Sequence, residues 1–242
     1  MTVLALRLSA PLQSWSGYRL AVSKDAVVPT ESMPRKSGIN GLIGAAVGSR
    51  DLDEIGAGYD LYVRTDHTNP TTEDYQTLGP LPGYLSADHP GRATALADRA
   101  EKIRTATASA RLERNRDGGS FPTAISRKDY LAHSEYVVAL DTGARTAGAW
   151  LAALRAPVFM TYLGRKSCPP TFPFLLGLWE GSAHDLFAQL PHVTRARSDK
   201  PPRAYQVVGS YDEHEHIRLD PITPPSADRK EQLAWLSQHL SR

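Results

Sequence analysis

The chain opens on an alternating run. From Val3 to Leu8, Leu4, Leu6 and Leu8 fall on one face and Ala5 and Arg7 on the other, the two-residue period of a half-buried strand. After a loop of turn and polar residues the period lengthens. In SGINGLIGAAVG, Ile39, Leu42, Ile43, Ala46 and Val47 recur at helical spacing. Ser37 stands at the N-cap position, Pro34 lies just outside, and Gly48 sits where a helix stops. Gly41 and Gly44 inside it each cost roughly 1 kcal/mol relative to alanine, which implies that something packs closely on this helix. Tyr59 to Thr65 reads as a second strand with Leu61 and Val63 on its apolar face.

Residues 66–133 are polar and turn-rich, too long for a plain loop in a compact domain, and read as an inserted excursion. Order returns with a strand at Glu135–Leu140, a helix in TAGAWLAALRAP that Pro157 ends, and a strand at Val158–Tyr162. Without the excursion the order is strand, helix, strand, strand, helix, strand. That is the split βαβ order of a ferredoxin-like α+β domain. Beyond it lie the Pro-rich loop CPPTFPF, a short helix near 182–190, strands at Tyr205–Ser210 and His216–Leu219, and a terminal amphipathic helix with Leu233, Leu236 and Leu240.

Composition narrows the class. With 242 residues, 41% hydrophobic and 22% charged, the chain has the balance of a globular protein, which excludes wholesale disorder, collagen and coiled coil. No run of about 18 apolar residues occurs, so neither a membrane span nor a signal peptide is expected, and the cytoplasm is the expected location. Cys168, the single cysteine, can form no internal disulfide and excludes a cysteine-rich zinc site.

The net charge of +2 announces no partner, but its distribution is uneven. Residues 99–128 hold eight bases (Arg99, Lys102, Arg104, Arg111, Arg114, Arg116, Arg127, Lys128) against three acids. The first fifty residues hold six bases against two acids. Two positive zones are thus set in an otherwise acidic chain.

The helix start at Arg35-Lys36-Ser37-Gly38 is the most suggestive place chemically, since free N–H groups at a helix N-terminus favour an anion and adjacent bases sharpen that preference for phosphate. An ordinary cap with solvated bases fits the same residues. A nucleotide P-loop is excluded, because no GxxxxGK[ST] occurs. The basic excursion suits an arm along a nucleic-acid backbone, or a charged solvated loop. Tyr84, Phe121 and Tyr130 flank it, but the pattern of an RNA-reading sheet is absent. His214 and His216, with Asp212, lack a third spaced ligand, so an exposed acidic turn is preferred over a metal site and no metal or cofactor is expected. His133, Tyr136, Tyr162 and Lys166 are the residue types of a metal-independent ribonuclease, with nothing in their spacing to group them. Trp15, directly after the first strand, reads as core filler before ligand platform.

Three stretches carry a more specific signal. LALRLSAPLQSWSGYRL, then PRKSGINGLIGAAVG, then YLGRKSCPPTFPF together resemble the CasD family, the type I-E form of the fifth Cas family, over residues 3–178. Members of that family hold the 5′ handle of the guide RNA in the Cascade CRISPR surveillance complex. The chain departs from the family pattern at Ala10, at Ser16 and at Arg35, where the family has glycine, glycine and threonine. Arg35 thereby loses a hydroxyl contact and offers a phosphate contact instead.

The resemblance implies a ferredoxin-like RAMP domain over 1–178 with a basic thumb inserted at about 66–133, and a small C-terminal α/β extension over 179–242. It implies a non-catalytic subunit that binds the crRNA 5′ handle and scaffolds assembly, beside the backbone subunit and the large target-recognition subunit, meeting target DNA through the assembled complex. Gln13, Trp15, Arg35, Lys36, Ser37, Tyr162, Arg165 and Lys166 would lie near the handle by motif position. Arg111, Arg114 and Arg116 are assigned to the thumb by charge. The alternative is an endoribonuclease that processes CRISPR repeat RNA.

Overall fold

The computed structural model describes residues 1–15, 27–78, 124–194, 201–209 and 214–241. Two compact units emerge, the first comprising Met1–Tyr18, Thr30–Thr71 and Tyr130–Arg242, the second Arg19–Pro29 and Thr72–Asp129.

The first unit is built on one antiparallel sheet. Its strands are β1 (Thr2–Ser9), β4 (Asp60–His67), β7 (Glu135–Thr142), β8 (Leu175–Glu180), β10 (Arg203–Gly209) and β11 (His214–Arg218). They lie in the order β11-β10-β4-β7-β1-β8. β1 lies inside the sheet, next to the edge strand β8, with Leu4 opposite Leu140 of β7 on one side and Leu178 of β8 on the other. Residues after 178 therefore do not stand apart: β10 pairs β4 and extends the same sheet.

Periodicity explains the helices on one face. In α1 (Lys36–Val47), Ile39, Leu42, Ile43 and Ala46 are buried, and Gly48 ends the helix at φ 78 with its N–H on the Gly44 carbonyl. Together with α3 (Ala144–Arg155), which contributes Ala147, Trp150, Leu151 and Leu154, α1 covers Leu4, Leu6, Leu8, Leu61, Val63, Val138 and Leu140. The short α2 (Leu52–Ala57), capped by Asp51, explains Gly44: a Cβ there would meet the Leu52 side chain at 2.8 Å. Among the described residues nothing lies within 4 Å of a Cβ placed at Gly41, so none of them is the close neighbour expected there.

The opposite face is covered too, which the half-buried pattern of β1 did not anticipate. α4 (Ala183–Gln189) and α5 (Arg229–His239) bring Leu186, Phe187 and Leu236 onto Val3, Ala5, Val137 and Ala139. A capping box between Asp228 and Glu231 starts α5. Arg7, on the polar side of the alternation, is thereby buried and made tolerable by a bidentate pair with Glu135 at 2.8 and 2.9 Å. Arg229 closes on the same carboxylate at 2.7 Å. Arg64, fully enclosed, pairs with Asp66 and donates to the carbonyls of Phe187 and Leu190, the end of α4.

The strand expected at Val158–Tyr162 does not form. The N–H groups of Val158 and Phe159 are taken by the Ala46 and Ala45 carbonyls at the end of α1, so this segment caps a helix rather than joining a ladder. Its place beside β1 goes to β8. Two short strands, β9 (His192–Val193) and β12 (Ser226–Ala227), pair in parallel outside the main sheet.

In the second unit, β3 (Val27–Val28) runs parallel to Arg127 and Lys128 of β6 (Ala124–Ala132), and β5 (Thr71–Leu78) pairs with β6 as well. Arg127 forms a bidentate pair with Glu73 at 2.9 and 2.8 Å. The thumb residues Arg111, Arg114 and Arg116, with Tyr84 and Phe121, lie outside the described residues.

Candidate nucleic-acid interface

The three stretches that carry the resemblance are far apart in sequence and meet in the first unit. β2 (Leu12–Gln13) pairs with Ala132 and Leu131 of β6. Ser14, next along, donates its N–H to the Leu163 carbonyl at 3.2 Å. Gly164 sits so close that a Cβ would stand 1.6 Å from the Ser14 oxygen, and its φ of 85 is one L-residues avoid. Only glycine allows this approach. Trp15 lies against the start of α1, where a Cβ on Gly38 would fall 2.8 Å from the indole ring.

Gln13 and Trp15 are therefore the joint of this region, not its ligand surface. The Gln13 side chain, fully buried, donates to the carbonyls of Leu8 at 3.2 Å and Ser134 at 2.7 Å and accepts from the Trp15 indole N–H at 3.2 Å. Trp15 is only 2% exposed, and its backbone N–H is held by the Thr30 hydroxyl. With their polar groups satisfied inside, both side chains are committed to packing between the motif stretches.

The start of α1 departs from expectation as well. The N-cap is Arg35, not Ser37, and no side chain caps the helix. Arg35 is 4% exposed and faces Glu31 at 3.8 Å, so its guanidinium is turned into the protein rather than held out to a phosphate. Lys36 donates to the Tyr59 carbonyl at 2.9 Å and lies 4.9 Å from the centre of that ring. Tyr59 donates in turn to Asn40, and burial pushes its phenol well above the usual range. Ser37, half-buried, is the second residue of the helix.

The loop after Tyr162 faces outward. Hydrogen bonds from Leu163 N–H to the Cys168 carbonyl (2.8 Å) and from Cys168 N–H to the Arg165 carbonyl (2.9 Å) close it into a tight turn. Cys168 points inward, and burial raises its thiol, so it is an inert core group. Lys166 is exposed, Tyr162 half-buried. The Arg165 guanidinium lies 4.8 Å from the centre of the Tyr130 ring, and its Nη1 makes no hydrogen bond. Between Asp141 and Glu180 the chain carries Arg145, Arg155, Arg165 and Lys166 and no acid.

Of the four ribonuclease-type residues, Tyr136 is enclosed in the core with its hydroxyl committed to the Ser32 carbonyl at 2.6 Å, and burial raises its pKa far beyond useful acid or base chemistry. Among the described residues no group of three metal-ligating side chains occurs. No described helix is long and apolar enough to cross a membrane.

Ser14, Thr30, Gly38, Gly164 and Tyr130 complete the joint. Of these, Ser14, Gly38 and Gly164 stood inside the quoted motifs, but nothing local in the sequence tells that each of the two glycines makes room for a residue from another motif.

A family described as CRISPR-associated protein (Cas_Cas5) matches residues 3–234. The chain is 27% identical over 182 residues, 74% of its length and 72% of the relative's, to the CRISPR system Cascade subunit CasD of Escherichia coli (strain K12). It superposes with a TM-score of 0.65 and 20% identity on a chain of a CRISPR RNA-guided surveillance complex, covering 98% of this chain and 100% of that one. A second solved structure, a Cas protein, gives 0.57 at 20% identity over 93% and 98%. At those identities the structural likeness shows a shared mixed α/β fold with antiparallel sheets. The match along nearly the whole sequence shows more: the chain belongs to the Cas5 family of CRISPR-associated proteins.

Proposed function

We propose that this chain is the non-catalytic subunit of a type I-E CRISPR Cascade complex that binds the 5′ handle of crRNA and scaffolds its neighbours, the backbone subunit and the large target-recognition subunit. The observation that carries this reading is the convergence of the three motif stretches, with Ser14 under Gly164 and Trp15 over Gly38, behind a cationic outward loop. The order of strands and helices, with β7 and β8 flanking β1 and two helices on one face, supports a ferredoxin-like RAMP body. In this reading Arg165 and Lys166 neutralise handle phosphates, with Tyr162 and Ser37 at their margin, and Arg111, Arg114 and Arg116 act on the thumb. Arg35 and Lys36 hold the start of α1. Target DNA is met through the assembled complex, and the work is done in the cytoplasm.

The test is RNA captured by the chain together with its neighbouring subunits, washed in moderate salt and sequenced at its 5′ end. A uniform repeat-derived 5′ end is the expected result, and a complex that retains no RNA overturns the proposal. Replacing Arg165 and Lys166 together by alanine is expected to weaken capture and to lower the salt slope by roughly one phosphate for each lost contact.

A further inference from the structure

We infer that Phe172 is a stacking platform for a nucleobase of the bound RNA, an inference that rests on the RNA-binding reading above. Its side chain is 84% exposed, the largest exposure of any aromatic residue among those described. A single exposed phenylalanine is ordinary on a protein surface. What sets this one apart is how firmly its backbone is held.

Thr171 donates both its N–H (2.7 Å) and its hydroxyl (2.8 Å) to the Ser9 carbonyl at the end of β1. Arg7 donates to the carbonyls of Phe172 and of Pro173, each at 3.3 Å, while its own N–H bonds the Phe174 carbonyl at 2.7 Å. Arg7 is itself clamped by the Glu135 carboxylate. Pro173 is buried immediately after the exposed ring. The backbone that presents the ring is thus fixed to β1, and a preorganised ring loses little freedom when a ligand covers it.

The surroundings select the ligand. The ring follows the Arg165-Lys166 turn by a few residues, in a span from 142 to 179 that carries only positive charge. Such a positive span repels basic partners and attracts a phosphodiester backbone. A base has a π-face to offer and the phenyl ring has no hydrogen-bonding group, so the contact fixes a base in place without reading its identity. The residue class is therefore a positioning contact to one nucleotide of single-stranded RNA, beside phosphate contacts from Lys166 and Arg165.

The experiment uses the full chain and synthetic RNA with the 5′ sequence recovered by capture, carrying 2-aminopurine at each position in turn. Stacking quenches the fluorescence of this base analogue. The expected result is quenching centred on one position in the unmodified chain, its loss in Phe172→Ala with affinity reduced at least about fivefold, and recovery of both in Phe172→Trp. An unchanged melting temperature verifies that the exposed substitution leaves the fold intact. Phe172→Ala that binds and quenches like the unmodified chain overturns the inference, and does so also if that variant instead sheds a neighbouring subunit, which assigns the ring to a protein interface. If the unmodified chain captures no RNA, the RNA-binding reading itself has failed and the stacking contact falls with it.

Discussion

At the start of α1, Lys36 is tied to the Tyr59 carbonyl and Arg35 is turned inward toward Glu31. In the loop from 163 to 174, Lys166 and Phe172 face solvent while the backbone beneath them is fixed. Both regions carry adjacent bases beside a glycine, and sequence chemistry rates them alike. What separates them is what lies around each: at the helix start the Tyr59 carbonyl and ring take up Lys36, whereas in the loop the Tyr130 ring takes up Arg165 and leaves Lys166 exposed. Charge type therefore nominates a contact, but the nearest alternative partner decides whether the charge remains available.

Substitutions can break this division. Trp15→Ala should have the largest effect, about 3–5 kcal/mol of lost stability in denaturant unfolding, because an indole wedged between Gly38 and Gln13 leaves a cavity. Its RNA capture, measured well below the unfolding midpoint, should fall only with the folded fraction; direct loss of binding in fully folded protein would restore Trp15 as a contact.

Glu135→Ala should cost about 3–5 kcal/mol as well, since Arg7 stays buried without its carboxylate. Loosening Arg7 also frees the carbonyls of Phe172 and Pro173, so protease cleavage in the 169–174 loop should rise. The same group sets an acid limit. Burial alone would raise the Glu135 pKa, but hydrogen bonding and charge from Arg7, then Arg229, outweigh it and hold the group at about 2 against an ordinary 4.5. A depressed folded pKa contributes stability that is complete above the ordinary value and lost as the pH falls from about 4.5 to about 2. Unfolding followed against pH should show this loss in the unmodified chain and a flatter profile in Glu135→Gln.

Gly164→Ala should cost on the order of 2 kcal/mol, because the added Cβ collides with Ser14 and the backbone conformation is strained. It should also shift the turn that carries Arg165 and Lys166, and on the proposed function weaken RNA capture. The smallest effects separate the two basic regions: Lys166→Ala should leave stability within about 0.5 kcal/mol and reduce RNA capture in a salt-dependent way. Lys36→Ala should lower stability by about 1 kcal/mol and leave capture nearly unchanged. Equal losses of capture from the two would abolish the distinction.

The strands and helices of the first unit were legible where apolar spacing was regular, as in Leu4-Leu6-Leu8 and in Ile39-Leu42-Ile43-Ala46. The last strand of the core order was not, because Val158–Tyr162 and Leu175–Glu180 are both short apolar runs and periodicity cannot rank them. The deciding facts are remote: the α1 carbonyls claim Val158 and Phe159, and Gly177 leaves space for the Ser241 carbonyl where the chain's last turn crosses β8. The site was legible as a set of motifs and opaque as to role. Nothing in PLQSWSG states that Gln13 will satisfy the indole N–H, which is what permits Trp15 to be interior. Arg7 and Arg64 show the same limit, since an alternating strand labels them solvent-facing until α4 and α5 cover that side.

The position of β1 between two strands from late in the chain reaches back to synthesis. Its partners begin at residues 135 and 175, so at typical translation speeds the first strand waits on the order of ten seconds for its first neighbour and longer for its second. During that interval an apolar ribbon with two unpaired edges hangs from the ribosome. Slowing elongation should therefore lower its soluble yield more than that of a protein whose strands pair as they emerge.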